Sequence, residues 1–150
     1  MADPFEALPV RPPVQPMLAE IAPEIPVGDG WIYEPKWDGF RGVVFRSGDA
    51  VRIGSRNTKP LERFFPELVA IFRAHLPDRC VLDGEILMLD AKGRLDFEGL
   101  QSRLHPAPSR IAKLSTEIPA GFAAFDLLAL DGEDLRERPF VERRARLEKI

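Results

Sequence analysis

The stretch KWDGFRGVVFRSGDAVRI, residues 36–53, decides the fold class of this chain. Within it, residues 42–45 form a short run of β-favouring side chains, and apolar and polar side chains alternate in residues 51–53. Between the two runs, Ser47-Gly48-Asp49 is typical of a tight turn. Two such runs joined by a turn predict a pair of antiparallel strands.

The residues before this stretch are rich in proline. Eight of the 15 prolines fall within the first 35 residues, and proline both stops helices and pushes the preceding residue toward extended backbone. We therefore predict an extended, proline-rich N-terminal arm over residues 1–30, in which Met17, Leu18 and Ile21 are apolar enough to dock on a core. Ordered structure is expected to begin at Trp31, with a first β-rich run over residues 31–33.

The residues after the stretch change between helical and strand-like patterns. Five apolar side chains at helical spacing, with Pro66 in the first turn, predict an amphipathic helix that ends near Pro77. The five are Phe65, Leu68, Val69, Phe72 and Leu76. Strands are predicted over residues 80–89 and 122–130, a short helix over 97–104 and an exposed helix over 140–150. The predicted class is α+β, with antiparallel β-sheets flanked by helices.

Composition and charge exclude several classes of protein. No apolar run approaches the length of a membrane span, and the acidic opening with Asp3 and Glu6 is unlike a secretory signal. The single cysteine, Cys80, forms neither an internal disulfide nor a thiolate metal cluster, which fits a reducing cytosol. The net charge is −3, yet residues 31–75 hold eight Lys or Arg against five acids. This basic middle indicates a local anionic partner rather than a generally adhesive surface.

The densest group of reactive side chains lies at residues 36–41. Lys36 is expected at a strand end close to Asp38 and Arg41, and Gly39 allows a close backbone approach or a left-handed turn. A neighbouring cation disfavours the ammonium form of a lysine, and a deprotonated lysine is a nucleophile. The alternative interpretation is an Asp38-Gly39 β-turn flanked by surface ions.

Three further patterns follow along the chain. The loop at residues 55–59 joins Arg56 to other polar groups and suits phosphate oxygens, or it is an ordinary polar loop. Asp83 and Glu85 lie in an otherwise apolar strand, where carboxylates are costly unless they meet a metal, a cation or a ligand hydroxyl. Phe125 is either plain core or a ring that stacks on a base.

In their order, these motifs resemble the covalent nucleotidyltransferases, and most closely the ATP-dependent DNA ligases of bacteria. Residues 36–41 match the first motif of that family, Lys-x-Asp-Gly-x-Arg, and residues 55–57 are similar to its next element. Residues 83–85 resemble its third motif, and residues 122–128 resemble the aromatic strand after it. With a Pro-Met-Leu-Ala segment near the start, the resemblance covers residues 14–150.

The resemblance implies a role for each matching residue in an adenylylation site. Lys36 would attack the α-phosphorus of ATP, expel pyrophosphate and hold AMP as a phosphoramidate. Glu34 and the backbone beside it would contact the adenine edge, and Phe125 would stack on the adenine face. Arg41 and Glu85 would grip the ribose.

The same resemblance implies a metal ion and a DNA substrate. Glu85, together with Asp83, would lie near a divalent ion, Mg²⁺ or Mn²⁺. Arg56 would bind the 5′-phosphate of the broken strand, and Asp38 would assist around the nick, so that Lys36, Asp38 and the Arg41 guanidinium form the expected catalytic group. AMP would pass to the 5′-phosphate, and a 3′-hydroxyl would displace it to seal nicked or broken double-stranded DNA.

The resemblance also sets an expectation for domain organisation. Residues 31–150 are expected to be the N-terminal portion of an adenylation domain with an ATP-grasp-like nucleotidyltransferase fold. The fourth and fifth family motifs and the OB-fold domain are not found in the sequence, and the last predicted helix lacks a stop signal. We therefore expect these 150 residues alone not to seal nicks.

Two alternatives share parts of the pattern. An RNA ligase or a GTP-using capping enzyme carries the same lysine motif, and a non-catalytic nucleic-acid-binding fragment would also present the basic middle. We expect a monomer in the bacterial cytoplasm, with no membrane partner and associated with the nucleoid when acting. His75 and His105 are predicted as surface or packing residues. The arginines at positions 136–146 are predicted as a solvated helix face, with contact to DNA phosphates as the alternative.

Overall fold

The computed structural model describes all 150 residues, and its first strand begins at residue 40. The five strands are β1 (Phe40–Ser47), β2 (Ala50–Gly54), β3 (Arg79–Leu87), β4 (Gly121–Leu130) and β5 (Glu133–Asp134). The four α-helices are α1 (Pro66–His75), α2 (Phe97–Gln101), α3 (Pro108–Glu117) and α4 (Phe140–Leu147), and a 3-10 turn covers Glu62–Phe64. None of the helices combines the length and the apolar character needed to cross a bilayer.

All five strands belong to one antiparallel sheet in the order β2-β1-β3-β4-β5. β1 and β2 form the predicted hairpin, and its turn places Gly48 at φ +59, a conformation that glycine adopts at no steric cost. The central strand is β3, which pairs with β1 on one side and β4 on the other. The predicted α+β class is confirmed, with a single sheet where more than one was expected.

The main hydrophobic core lies on one face of this sheet. Helix α1 buries Leu68 and Phe72 there, in a cluster shared with side chains of β1, β3, β4 and α3. Cys80 belongs to the same cluster and is fully buried. Burial raises the pKa of the Cys80 thiol to about 12, so this group is a packing side chain.

The opposite face of the sheet is divided between apolar and polar residues. Because successive strand residues point to alternate faces, Arg41 shares a face with Val43 and Phe45, and Val81 shares one with Asp83. An apolar patch on this face packs against the N-terminal segment. The patch and its cover consist of Val43, Phe45, Val81 and Ala129 beneath Phe5, Leu8 and Val10. The charged residues of this face, Arg41 and Asp83, lie outside the patch.

The N-terminal segment contains no helix or strand before residue 40, but it is anchored by other residues than those predicted. Phe5, Leu8 and Val10 are buried, whereas Met17 is 82% and Ile21 100% exposed. The reason is the apolar patch, which would be exposed to water without a covering layer.

One predicted strand is absent from the structure, and one helix was not predicted. Residues 31–33 do not form a strand, because no neighbouring strand pairs with them, and their side chains are exposed. Helix α3 has no counterpart among the predicted elements, because the prolines at positions 106 and 108 disfavour a helix that continues through them. Pro108 instead occupies the first turn of α3, where a missing N–H costs no hydrogen bond.

Candidate functional site

A cavity of about 1020 Å³ opens over the polar residues of the sheet face opposite the main core. Most of the predicted site residues line it, namely Glu34, Lys36, Arg41, Arg56, Glu85 and Phe125. Asp38 and Asp83 do not line it. The fold thus brings together residues that are spread over some ninety positions of the sequence, from three separate strands and two loops.

The charge of the cavity wall is predominantly positive. The charged side chains that line it are Lys36, Arg41, Arg56, Lys59 and Arg63, against the carboxylates of Glu34 and Glu85. A concave surface with this imbalance attracts a polyanion and suits the phosphates of a nucleotide.

Lys36 lies on the loop that leads into β1. Its side chain is 89% exposed, and its Nζ lies 3.1 Å from Oδ1 of Asp38. The sequence predicted both Asp38 and Arg41 as neighbours of Lys36. In the structure, Lys36 forms its ion pair with Asp38, and Arg41 is paired with another carboxylate, that of Asp83.

Gly39 determines how closely this loop approaches the sheet. A Cβ atom added at Gly39 would overlap the main-chain carbonyl of Ile86 on β3. The φ angle of Gly39 is not positive, so no left-handed turn requires glycine here. What requires glycine is the close approach of the loop to the main chain of Ile86. This contact holds the loop, and with it Lys36, against the central strand.

Arg41 is held firmly at the cavity. Its Nε and Nη2 donate to the two carboxylate oxygens of Asp83, each at 2.7 Å, and Nη2 also donates to the carbonyl of Met17 at 2.8 Å. The hydrogen bond with Asp83 raises the pKa of Arg41. The guanidinium lies 4.9 Å from the centre of the Phe125 ring. Because a bidentate pair fixes the guanidinium plane, Arg41 and Phe125 form a prearranged pair in the wall of the cavity.

The two carboxylates of β3 differ in their availability. The side chain of Asp83 is 5% exposed, and both its oxygens accept hydrogen bonds from Arg41. Glu85 is half-buried and faces the cavity. Burial raises the pKa of Glu85, and the charge of Arg41 and a hydrogen bond from the Gly39 N–H offset part of this effect.

This geometry does not support Asp83 as a metal ligand, because its oxygens are already occupied. No group of three or more His, Cys, Asp or Glu side chains is arranged to hold a metal ion. Glu85 alone fits an ion that arrives with its substrate, since Mg²⁺ is commonly held by one or two carboxylates together with phosphate oxygens and water.

The loop at residues 55–59 is closed by its own hydrogen bonds. The Ser55 N–H donates to the carbonyl of Lys59 at 2.8 Å, and the Lys59 N–H donates to Oγ of Ser55 at 3.0 Å. Arg56 and Lys59 both line the cavity, and neither forms an ion pair within the chain. A closed loop with unpaired cations is well suited to an anionic ligand.

Two residues of the cavity wall, Arg63 and His105, were not predicted as site residues. Arg63 lies 4.6 Å from the centre of the Phe64 ring, and His105 packs edge-on against the same ring at 5.5 Å. His105 packs as predicted, but it also lines the cavity. Arg63 follows Arg56 and Lys59 closely, so the run of cations was a usable signal. No sequence signal pointed to His105, because only the tertiary fold brings it to the cavity wall beside Phe64.

Helix α4 is tied to the site by two arginines. Arg143 forms two hydrogen bonds with the carboxylate of Asp126, at 2.8 and 3.0 Å, and both side chains are largely buried. Nη1 of Arg144 lies 3.5 Å from Oε1 of Glu34. The predicted solvated face is therefore wrong for Arg143, because α4 packs against β4 next to Phe125.

Comparison with known proteins gives a consistent result. A family model described as "ATP dependent DNA ligase domain" matches residues 16–150. DNA ligase C2 of Mycolicibacterium smegmatis is 59% identical over 141 residues, which are 94% of this chain and 39% of that protein. DNA ligase C of Mycobacterium tuberculosis is 59% identical over 140 residues, which are 93% of this chain and 38% of that protein. The chain therefore spans about two fifths of the length of these relatives.

A solved structure also resembles the chain. A mycobacterial DNA ligase D complexed with ATP and MES aligns with a TM-score of 0.62 and 34% sequence identity. The alignment covers 77% of this chain and 35% of that one.

Proposed function

This chain belongs to the ATP-dependent DNA ligase family, and we propose that it forms the lysyl-AMP intermediate of that reaction on Lys36. The observation that carries the proposal is the single cavity lined by a lysine, an Arg–Phe pair, a half-buried carboxylate and unpaired cations. These groups supply a nucleophile, surfaces for a nucleoside and charge for phosphates.

The first step is a displacement at the α-phosphorus of ATP. Nζ of Lys36 loses a proton and attacks, so that an N–P bond forms as the P–O bond to pyrophosphate breaks. Asp38 is the one carboxylate within ion-pair distance of Nζ, and it is therefore the nearest acidic group to the departing proton. Arg56, Lys59 and Arg63 offset the charge that develops on the leaving pyrophosphate.

The nucleoside is held by the groups on the sheet. Phe125 stacks on adenine with the ring surface that Arg41 leaves open, and the backbone near Glu34 contacts the adenine edge. Arg41 and Glu85 contact the ribose. Asp83 is a positioning residue in this scheme, because it acts only through the guanidinium that it orients.

A divalent ion, Mg²⁺ or Mn²⁺, would neutralise charge on the phosphates when bound, with Glu85 as its ligand from this chain. The later steps use DNA. AMP passes from Lys36 to the 5′-phosphate of a nick, which Arg56 binds, and a 3′-hydroxyl then displaces AMP to seal the strand. We propose that the protein performs these steps as a monomer in the bacterial cytoplasm.

Labelling with nucleotide tests the proposal directly. The chain is incubated with α-labelled ATP and, in parallel, with α-labelled GTP, and acid-stable and acid-labile label are compared to identify a phosphoramidate. We expect ATP to label the chain and Lys36→Ala to abolish the label, whereas Lys92→Ala, in an exposed turn outside the cavity, should retain it. Label from GTP alone would indicate a capping-type enzyme. Label that survives in Lys36→Ala would show that another residue is the nucleophile.

A further inference from the structure

Arg103 is a fully buried charged side chain, with 0% exposure, outside the groups discussed so far. It follows helix α2 and directly precedes Leu104 and His105, which line the cavity. Nothing in the proposed chemistry uses Arg103, so its burial requires another explanation.

The guanidinium of Arg103 connects several elements behind the cavity wall. Nη2 donates to Oε1 of Glu67 on α1 at 2.5 Å, and Nη1 donates to the carbonyl of Ile118 after α3 at 3.2 Å. The same Glu67 oxygen accepts a hydrogen bond from the Ala120 N–H at 3.0 Å. The guanidinium also lies 5.1 Å from the centre of the Phe65 ring. Arg103 thus joins α1, the end of α3 and the start of β4.

This ion pair is incompletely satisfied. Oε2 of Glu67 and Nε of Arg103 are buried and have no hydrogen-bond partner. A buried ion pair with unsatisfied atoms stabilises a fold less than well-packed apolar side chains of similar volume. Stability alone therefore gives little reason for a charged pair at this position, whereas directional hydrogen bonds give a defined placement of the adjoining chain.

The adjoining chain has an unusual conformation. His105 has φ +64, in the left-handed region that non-glycine residues rarely adopt, although histidine is among those enriched there. Its ring packs edge-on against Phe64 at 5.5 Å. A strained residue persists where its surroundings hold it, and Arg103, two residues before His105, is buried and hydrogen-bonded on both sides of its guanidinium.

We propose that Arg103 is a positioning residue that holds Leu104 and His105 in the wall of the cavity. The placement of the wall follows from this structure alone, while the effect on ATP rests on the proposed function. Loss of the anchor would release the His105 ring from Phe64 and open the cavity wall at Leu104 and His105.

The test uses Arg103→Lys, which keeps the charge but loses the planar fork of donors. A His75→Gln background leaves His105 as the single histidine, so its imidazole NMR signals report on packing against Phe64. A Trp31→Phe background leaves Trp37, a cavity residue, as the single tryptophan for fluorescence titration with ATP. We expect the His105 signals to move toward those of a solvated ring and the ATP affinity to fall about tenfold.

Arg46→Lys is the matched control. Arg46 is also buried and donates to main-chain carbonyls, those of Phe72, Leu76 and Gly48, but it borders no cavity residue. It should lower thermal stability while leaving the His105 signals and the ATP affinity unchanged. Parent-like His105 signals in folded Arg103→Lys, or equal changes in Arg46→Lys, would overturn the proposal.

A second variant covers the case in which Arg103→Lys fails to fold. Arg103→Met with Glu67→Met removes both buried charges, so the fold should recover. We expect displaced His105 signals in this double variant, and parent-like signals would again overturn the proposal. If the parent itself does not bind ATP, the proposed function fails, but the His105 signals still decide whether Arg103 positions the wall.

Discussion

At Gly39, the absence of a side chain allows the lysine loop to rest on the central strand. The carbonyl of Ile86 occupies the space that a Cβ atom would need. The glycine of the Lys-x-Asp-Gly-x-Arg motif therefore has a steric role that is independent of any ligand, and Lys36 depends on it for its place at the cavity.

We expect Gly39→Ala to lower the free energy of unfolding by about 1–3 kcal/mol, as overpacking does, and to weaken ATP binding. Urea unfolding and fluorescence titration measure the two effects. Gly121→Ala is the control, because an added Cβ there meets no atom within 4 Å. Equal losses in both variants would contradict the steric argument.

The Glu85 carboxylate lines the cavity, but burial of its charge lowers the stability of the fold. Burial raises its pKa in the folded state, so its carboxylate form costs stability at neutral pH. The cost is present above the folded-state pKa, and it disappears as the pH falls below the unfolded-state value of 4.5.

Glu85→Gln should therefore raise the melting temperature at pH 7 to 8 by a degree or two, roughly the size of a half-exposed charge effect. The gain should vanish below about pH 4, where both states of the parent are protonated. Thermal unfolding across this range checks the sign, with the exposed Glu137→Gln as control. A gain that persists in acid would exclude ionisation as its cause.

At the scale of elements, the ion pair of Arg143 with Asp126 joins helix α4 to strand β4. Asp126 directly follows Phe125, so the helix is tied to the strand that carries the cavity's aromatic ring. The hydrogen bond with Asp126 raises the pKa of Arg143. The helix is thereby a support of the site rather than a solvated appendage.

Arg143→Met should destabilise the fold by about 2 kcal/mol, since it leaves a largely buried carboxylate without its partner. Adding Asp126→Asn should recover part of this loss, and chemical denaturation of the single and double variants measures the coupling. Arg136→Met removes an exposed pair with Asp134 and should cost less than about 1 kcal/mol. Purely additive losses at Arg143 and Asp126 would show that the two do not interact.

At the scale of the whole molecule, the N-terminal segment connects the apolar patch to the cavity on the same face of the sheet. Phe5, Leu8 and Val10 cover the apolar patch, and a few residues later Met17 accepts a hydrogen bond from Arg41. The link between these contacts contains Pro12, Pro13 and Pro16, and proline-rich chain is stiff. Contacts on the patch should therefore influence the ligand side.

Leu8→Ala should lower the free energy of unfolding by about 2–4 kcal/mol, as for other buried leucines, and should also weaken ATP binding. Ile25→Ala changes a residue of the same segment that is 77% exposed, and it should affect neither. Thermal unfolding and ATP titration of both variants give the comparison. Normal ATP affinity in Leu8→Ala would show that the patch and the cavity are independent.

The strands and helices that the sequence predicted are those whose periodicity extends over a whole element. The hairpin of β1 and β2, helix α1 and strands β3 and β4 all have patterns that burial on one face requires. Residues 31–33 failed because a strand also needs a partner, and α3 failed because a proline has opposite effects at the start and in the middle of a helix.

The sequence by itself determined the α+β class and the family, together with the motif residues that line the cavity, because these depend on residue types at short spacing. Only the tertiary structure decided that Asp83 is occupied by Arg41, that Gly39 rests on Ile86, and that His105 joins the wall. Each of these is a contact between residues far apart in the chain. Such contacts are set by how the sheet and its covering elements pack, and no local pattern records them.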